Sequence, residues 1–574
     1  MNILKKNWLP RENENPAPSL DAWAGKLGIS VWLARIIWRR GFQSVAEVEE
    51  FLSPGLRNLI PPSNWPGVEP AAQIICDSLL AGEKMAVWGD YDVDGVTSAA
   101  LVKTVLSWHG HNIAAVIPHR SKDGYGLNTN GMHELAAQGV SLLLTVDCGI
   151  SDLEPVAVAR ELGIKVVISD HHLPGPELPK AEAICNPSLP GSPYSHLAGV
   201  GMAFYLMAQV HSLLEPLSKS GADIRDVLDF VAFGTLADMV PVTGQNRILV
   251  KNGMLLLNEG RRPGIAALKS VSGFAPAAPL SAGQISFSLA PRINAAGRLD
   301  RAEDALNLLL AQTPCEALPL AEKLDDMNKD RREQEEIIFK EAIQMANAYK
   351  RDPALVLYAP HWHGGIIGIV ASRMVEAFYK PTLVLCQEGA YLKGSGRSIK
   401  ELNLHEALTA CSSLLSRFGG HHQAAGLTIE PGRLEEFRKA FNGAVVDAIG
   451  EDPVQPTLHY DDEAGFAVAS NGMYLAELEL MQPFGVKNPE PVFISPPLRI
   501  RQISLFGAGN AHARLTLCDE AANISLQVKA WRMAKEFPLA GVGRELQIAY
   551  STRLDSYNGI PKVDIHLRDW RWLA

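Results

Sequence analysis

At 574 residues the chain exceeds a single core, and roughly 100–200 residues per domain predicts three or four domains. With 47% hydrophobic and 20% charged residues it is no disordered chain, and without an apolar run of about eighteen residues or an apolar stretch after Lys5 and Lys6 it is read as a cytoplasmic protein with neither membrane span nor export signal. A net charge of −10 argues against coating nucleic acid by bulk charge but leaves room for a local basic groove, and seven scattered cysteines without a C-x-x-C pair predict reduced thiols.

Residues 20 to 60 carry apolar positions at helical spacing (Leu27, Val31, Ile37; then Val45, Val48, Leu52) and end in Pro61-Pro62. They predict a helical N-terminal cap over 1–65. Next comes a strand at Met85–Trp88 that runs into Gly-Asp90-Tyr-Asp92-Val-Asp94, a helix from about Val96 to Trp108, and a strand at Ile113–Ile117. The rhythm repeats: Leu142–Val146 ends in Asp147, a helix follows, and Val166–Ser169 ends in Asp170-His171-His172. Continuous apolar strands alternating with helices predict a doubly wound parallel sheet over 66–317. Ligands bind at the C-terminal ends of such strands, so three acidic strand ends are expected to converge there. Asp238, after the apolar helix around Val231–Ala237, is a fourth candidate. Carboxylates gathered in this way call for hard divalent cations, which offset their mutual repulsion. The plain alternative for the Asp90–Asp94 stretch alone is a solvated acidic turn.

A long helix predicted over 318–350 has a centre, Asn328–Glu336, that is polar all round, as a bridge between two domains requires. A second, smaller α/β domain follows over 351–455. Its glycine clusters, Gly394-Ser395-Gly396-Arg397 and Gly419-Gly420-His421, read as loops able to cradle phosphate, with tight turns as the alternative. From 456 to 574 the pattern changes to five or six short strands, which predicts an OB-like β-barrel. There is no P-loop and no dinucleotide fingerprint.

Together the set Asp92-x-Asp94-x-x-x-Ser98, Val146-Asp147-Cys148-Gly149, Asp170-His171-His172 and Leu236-Ala237-Asp238 resembles the DHH phosphoesterase superfamily. The downstream runs Pro291–Arg298, His361–Arg373, Gly394–Ser398 and Gly419–Gly426 are similar to its RecJ branch, single-strand-specific 5′→3′ exonucleases. The resemblance implies that Asp92, Asp94, Asp147, His171 and Asp238 ligate two Mn²⁺ ions, with Mg²⁺ able to serve. It places His172 at the scissile phosphate and makes Asp170 the residue that orients the histidines. It also implies that Arg120, Ser395 and Arg397 bind the 5′-phosphate, and that Arg292 or Arg298 with His421 holds a nearby phosphate. Many members have His four residues before the D-x-D, where this chain has Trp88; one ion is then held weakly, or recruits Asp90 or water.

The implied function is two-metal hydrolysis of single-stranded DNA from its 5′ end, releasing 5′-mononucleotides in recombination and in mismatch and other DNA repair. The resemblance further implies a monomer working with single-stranded-DNA-binding protein and a repair helicase. A small-nucleotide phosphodiesterase or pyrophosphatase of the same superfamily, or a non-catalytic DNA-binding scaffold, remains open at this point. Phe506, Trp531, Tyr550 and Tyr557 are candidates for stacking on bases in the barrel.

Overall fold

The computed structural model describes residues 4–119, 124–298, 302–555 and 562–573. The chain forms two compact units: one joins Ala46–Lys329 with Met481–Glu490, the other joins Met1–Val45, Asp330–Leu480 and Pro491–Ala574. No helix among the described residues is long and apolar enough to cross a membrane.

The first unit is built on a five-stranded, wholly parallel sheet in the order Ala114–Val116, Met85–Gly89, Leu142–Val146, Lys165–Ser169, Ala183–Cys185. The central strands are apolar at nearly every position because both faces are covered. Met85, Val87, Leu142 and Leu144 pack into the core shared with helices Val68–Leu80, Val93–Trp108, Gly199–Ser218 and Leu228–Asp238. Ala86, Trp88, Leu143 and Ile168 face the opposite layer, with helices Thr129–Ala137 and Leu153–Glu161.

Strand order places the first strand, Met85–Gly89, inside the sheet, with its successor on one side and Leu142–Val146 on the other. The connections therefore diverge at the C-terminal ends of these two strands, which opens the crevice where such sheets bind ligands. Register sharpens the point. Gly89 lies opposite Val146 and Val146 opposite Ser169, so Asp90, Asp147 and Asp170 leave three adjoining strands at the same level.

In the second unit a mixed five-stranded sheet runs Arg417–Gly420, Ala424–Ile429, Tyr391–Arg397, Thr382–Glu388, Leu355–Tyr358, with only the last two strands parallel. The two glycine-rich segments expected as loops are strands. In the first of them the glycines answer to packing: a Cβ on Gly394 would stand 2.8 Å from a Leu427 methyl, and one on Gly396 would stand 2.6 Å from a Leu383 methyl. The terminal barrel closes through Leu498–Phe506, His512–Asp519, Ile524–Ala530, Lys562–Trp572 and Glu545–Asp555, the last pairing back to the first.

Two further expectations change. The N-terminal stretch includes a strand, Asn7–Pro10, paired in parallel with Thr457–Tyr460 in the same unit, besides its helices Leu20–Leu27, Val31–Arg39 and Val45–Leu52. So short a strand, pairing across so long a sequence separation, leaves no local signal. The long helix, Pro314–Ala346, is not solvent-facing all round at its centre. Asn328 and Arg331 are buried, Arg331 pairs with Glu335 at 2.7 Å, and Arg373 reaches Glu335 and Glu336, each at 3.0 Å. Charges in this polar centre are paired with one another.

Candidate active site

Beyond Gly89 the chain turns sharply into the helix Val93–Trp108. Asp92 is its N-cap, with Oδ1 accepting the N–H groups of Asp94 at 2.8 Å and Gly95 at 3.1 Å. Asn294 accepts the N–H of Val93 at 3.2 Å, so the Pro291–Arg298 segment buttresses the acidic turn from behind. Asp94 sits in the first helical turn and is buried. Both its oxygens are held: Gly199 N–H donates at 2.7 Å and Val200 N–H at 2.9 Å, from the start of the helix Gly199–Ser218. That helix end carries partial positive charge, the complement a buried carboxylate needs.

Asp147 follows its strand with φ at 60°, a left-handed conformation costing about 1–2 kcal/mol for most residues but tolerated by Asp. Gly199 lies against it, and a Cβ there would stand 2.6 Å from Asp147 Oδ1. Only glycine lets the helix end donate to Asp94 while leaving Asp147 in place. Asp238 is the last residue of the helix Leu228–Asp238, and Met239 turns the chain away with φ at 62°.

Asp170 is buried and committed to its neighbours. Its Oδ1 accepts the N–H of His171 at 2.7 Å, the N–H of His172 at 3.1 Å and pairs with His172 Nδ1 at 2.8 Å, while Oδ2 accepts Ile150 N–H at 3.0 Å. His171 Nε2 lies 3.1 Å from Asp147 Oδ1, 3.8 Å from Asp238 Oδ2 and 3.9 Å from Asp94 Oδ2. Tyr125 contributes a hydroxyl 3.1 Å from His172 Nδ1, and Asn186 Nδ2 donates to His172 O at 2.9 Å.

The electrostatics are those of an anionic pocket. Burial, reinforced by Asp238 and Asp92, pushes the Asp94 carboxyl far above its ordinary range against the pull of the Val200 and Gly199 amides. Burial and the charges of Asp94, Asp92, Asp238 and Asp90 do the same to Asp147. Asp238 is raised by burial too, with His171 opposing. Asp170 goes the other way: burial raises it, but the His172 hydrogen bond and charge, with Ile150 N–H and His171, leave it below the usual carboxylate range. Burial disfavours the His172 cation, yet Asp170, Asp238 and Asp92 raise its pKa to about 9.

Three groups of ligand atoms lie within 4.8 Å of one another: Asp90, Asp92 and Asp147; Asp94, His171 and Asp238; Asp147, His171 and His172. Asp147 Oδ1, His171 Nε2 and Asp238 Oδ2 are buried without a hydrogen-bond partner, the short His171 to Asp147 approach being poorly aligned for one. Unsatisfied buried oxygens and an imidazole nitrogen converging on one space fit divalent cations that accept both donor types. Trp88 is buried among Leu127, Met132 and Leu135 in the apolar layer, and Asp90 completes a ligand group without a histidine at position 88.

The expected phosphate ligands fare unevenly. Ser395 and Arg397 lie two apart on one strand, 3.2 Å from each other, and a Cβ on Gly368 would stand 2.9 Å from Ser395 Oγ and 3.4 Å from the Arg397 guanidinium. Both therefore lie over the first turn of the helix Ile367–Phe378, a ready anion site. His421 is exposed in the turn after Arg417–Gly420. Arg292 is a correction: its guanidinium donates to Asp325 at 2.8 Å, to Ser288 O and to Val271 O at 3.3 Å, which makes it a strut. Arg298 ends the helix Ala290–Arg298, and Arg120 lies outside the described residues.

Of the stacking candidates, Tyr550 is fully buried and donates to Ala464 O, whereas Phe506 and Trp531 lie 5.3 Å apart beside His512, with Arg514 over the Phe506 ring. Tyr557 lies outside the described residues. Sequence reasoning missed Gly199, Tyr125, Asn186 and Asn294. Gly199 stands in a Gly-Val-Gly run that lacks a dinucleotide spacing, yet a glycine at a helix start is itself a signal for close approach.

Comparison with known proteins matches the DHH family, N-terminal domain, over residues 84–235, the DHHA1 domain over 351–447 and the RecJ OB domain over 469–569. The single-stranded-DNA-specific exonuclease RecJ of Salmonella typhimurium is 35% identical, covering 94% of this chain and 95% of the relative. The Bacillus subtilis protein of that name is 34% identical over 91% of this chain, which spans 65% of that longer relative. The crystal structure of RecJ in complex with Mn²⁺ from Thermus thermophilus superposes with a TM-score of 0.82 at 29% identity, covering 99% of this chain and 80% of that one. A second structure of the Thermus thermophilus protein is a complex with Mg²⁺. The chain belongs to the RecJ family of single-stranded-DNA-specific exonucleases.

Proposed function

We propose that the protein is a metal-dependent exonuclease that shortens single-stranded DNA from the 5′ end and releases 5′-mononucleotides. The observation that carries this reading is the convergence of Asp90, Asp147 and Asp170 from three adjoining strands onto the partnerless His171 Nε2, Asp147 Oδ1 and Asp238 Oδ2. Two divalent ions, Mn²⁺ or Mg²⁺, would be held by Asp90, Asp92 and Asp147 on one side and by Asp94, His171 and Asp238 on the other, with Asp147 close to both sets. Such ions supply Lewis acidity, neutralising charge on phosphodiester oxygens and lowering the pKa of water.

The protein's own groups do the rest. Asp170 fixes the His172 ring through Nδ1, and so sets which nitrogen that ring presents, while it holds His171 through its main-chain N–H. His172, its Nδ1 held by Asp170, faces the scissile phosphate, with Tyr125 steadying its ring. Ser395 and Arg397, with Arg120, bind the terminal 5′-phosphate; Arg298, with His421, holds a nearby phosphate. Guanidinium groups suit that task because they meet phosphate oxygens in pairs. Phe506 and Trp531 stack on bases further along the strand.

In this reading 1–65 is an N-terminal cap, 66–317 the catalytic domain, 318–350 a bridging helix, 351–455 the DHH-associated domain and 456–574 the OB-fold. The enzyme acts as a cytoplasmic monomer in recombination and mismatch repair, beside single-stranded-DNA-binding protein and a repair helicase. Digestion of 5′- and 3′-labelled single strands with and without Mn²⁺ tests it. The 5′ label should appear first as mononucleotide and only with metal; release from the 3′ end, or without metal, would overturn the assignment.

A further inference from the structure

The two helices that shape the acidic pocket meet again at their far ends. Val93–Trp108 carries Asp94 in its first turn, and its C-cap is His109. Gly199–Ser218 grips Asp94 with its first amides and bears His211, Glu215 and Ser218 in its last two turns. At about 1.5 Å per residue, His109 is roughly 20 Å along the helix from Asp94, far from the pocket.

There His109 Nε2 lies 3.0 Å from His211 Nδ1, and His109 Nδ1 lies 2.6 Å from Ser218 Oγ. Glu215, one turn beyond His211 on the same face, completes a half-buried group whose ligand atoms lie within 4.8 Å of one another. Its carboxylate is held in place by Ser220 Oγ and by Gly221 N–H at 2.9 Å. Two of the three ligands thus have an outer hydrogen-bond partner, Ser218 for His109 and Ser220 with Gly221 for Glu215, and the Trp108 ring meets His211 edge-on. Supporting bonds of this kind are what metal-binding imidazoles and carboxylates use.

We propose that His109, His211 and Glu215 form a second cation site, separate from the acidic pocket, that takes a borderline transition-metal ion such as Zn²⁺. Two imidazoles and one carboxylate make a nitrogen-rich set of the kind Zn²⁺ takes, whereas carboxylate oxygens dominate the acidic pocket. An ion there ties the C-terminal ends of the two helices whose N-terminal ends hold Asp92, Asp94 and the amides on Asp94. The alternative is an imidazole pair sharing one hydrogen bond.

Equilibrium dialysis of the full chain against Zn²⁺, with metal counted by mass spectrometry, separates the two. The wild-type protein should retain one more Zn²⁺ per chain than His211→Gln or Glu215→Gln, whatever number the acidic pocket takes. Ser218→Ala, which leaves all three ligands, should keep the stoichiometry and weaken the extra site about tenfold. Equal Zn²⁺ content in the wild type and both ligand variants would overturn the proposal. Should His211→Gln fail to fold, Glu215→Gln and Ser218→Ala decide it, since both retain the imidazole pair.

Discussion

The parallel sheet of the first unit and the mixed sheet of the second present functional groups in opposite ways. In the first, carboxylates follow directly on strand ends, are buried, and leave Asp147, His171 and Asp238 with unsatisfied atoms. In the second, Ser395 and Arg397 stand within a strand, partly exposed, and reach over the start of the helix Ile367–Phe378. Under the proposed function the difference separates two tasks. Holding cations demands a rigid, desolvated anionic pocket, whereas gripping a phosphate that comes and goes calls for accessible cations and hydroxyls.

Substitutions can break this contrast in graded fashion. Asp147→Ala removes a carboxylate close to both ligand sets and should lower nucleotide release on the order of 10³-fold or more, measured as initial rate in saturating Mn²⁺. Gly199→Ala should cost about 10²-fold in the same assay with the fold intact, because its Cβ would press on Asp147 Oδ1 and displace it. Asp170→Asn touches no expected ion but releases both histidines. A loss of roughly 10- to 100-fold in activity or Mn²⁺ affinity is expected, and unchanged titration curves would remove it from its orienting role.

On the other sheet the effects should be smaller and differently shaped. Arg397→Ala should reduce the preference for 5′-phosphorylated over 5′-hydroxyl strands by roughly tenfold, as expected for a charged hydrogen bond, while leaving hydrolysis of the 5′-hydroxyl strand nearly unchanged. Trp531→Ala should weaken binding of longer single strands by about fivefold without altering release from short ones. If Arg397→Ala instead cut both substrates equally, the division between chemistry and recognition would fail.

The catalytic face was largely legible from the chain. Strand ends announce themselves by an apolar run stopping at an acid, and parallel pairing then forces Asp90, Asp147 and Asp170 to one edge. The ligand sets were implied by the resemblance of the motifs to a known family. What escaped was contact made across the fold: the amides of Gly199 and Val200 on Asp94, Asn294 behind the acidic turn, and the capture of Arg292 by Asp325. A backbone donor has no signature in side-chain identity, and an arginine in a motif reads alike whether it waits for phosphate or is bound internally. The glycine-rich segments misled for a related reason. Glycine signals both an anion cradle and a crowded strand, and only the neighbouring Leu383 and Leu427 decide between them. Trp88, which reads as a defect in the ligand set, belongs to the apolar layer, with Asp90 beside Asp92 and Asp147 instead.

Crystals of the protein grown with Mn²⁺ and measured by anomalous scattering test the central claim most directly. The account predicts two Mn²⁺ peaks in the first unit, one among Asp90, Asp92 and Asp147 and the other among Asp94, His171 and Asp238. Peaks elsewhere with none touching Asp147 or His171 would contradict it.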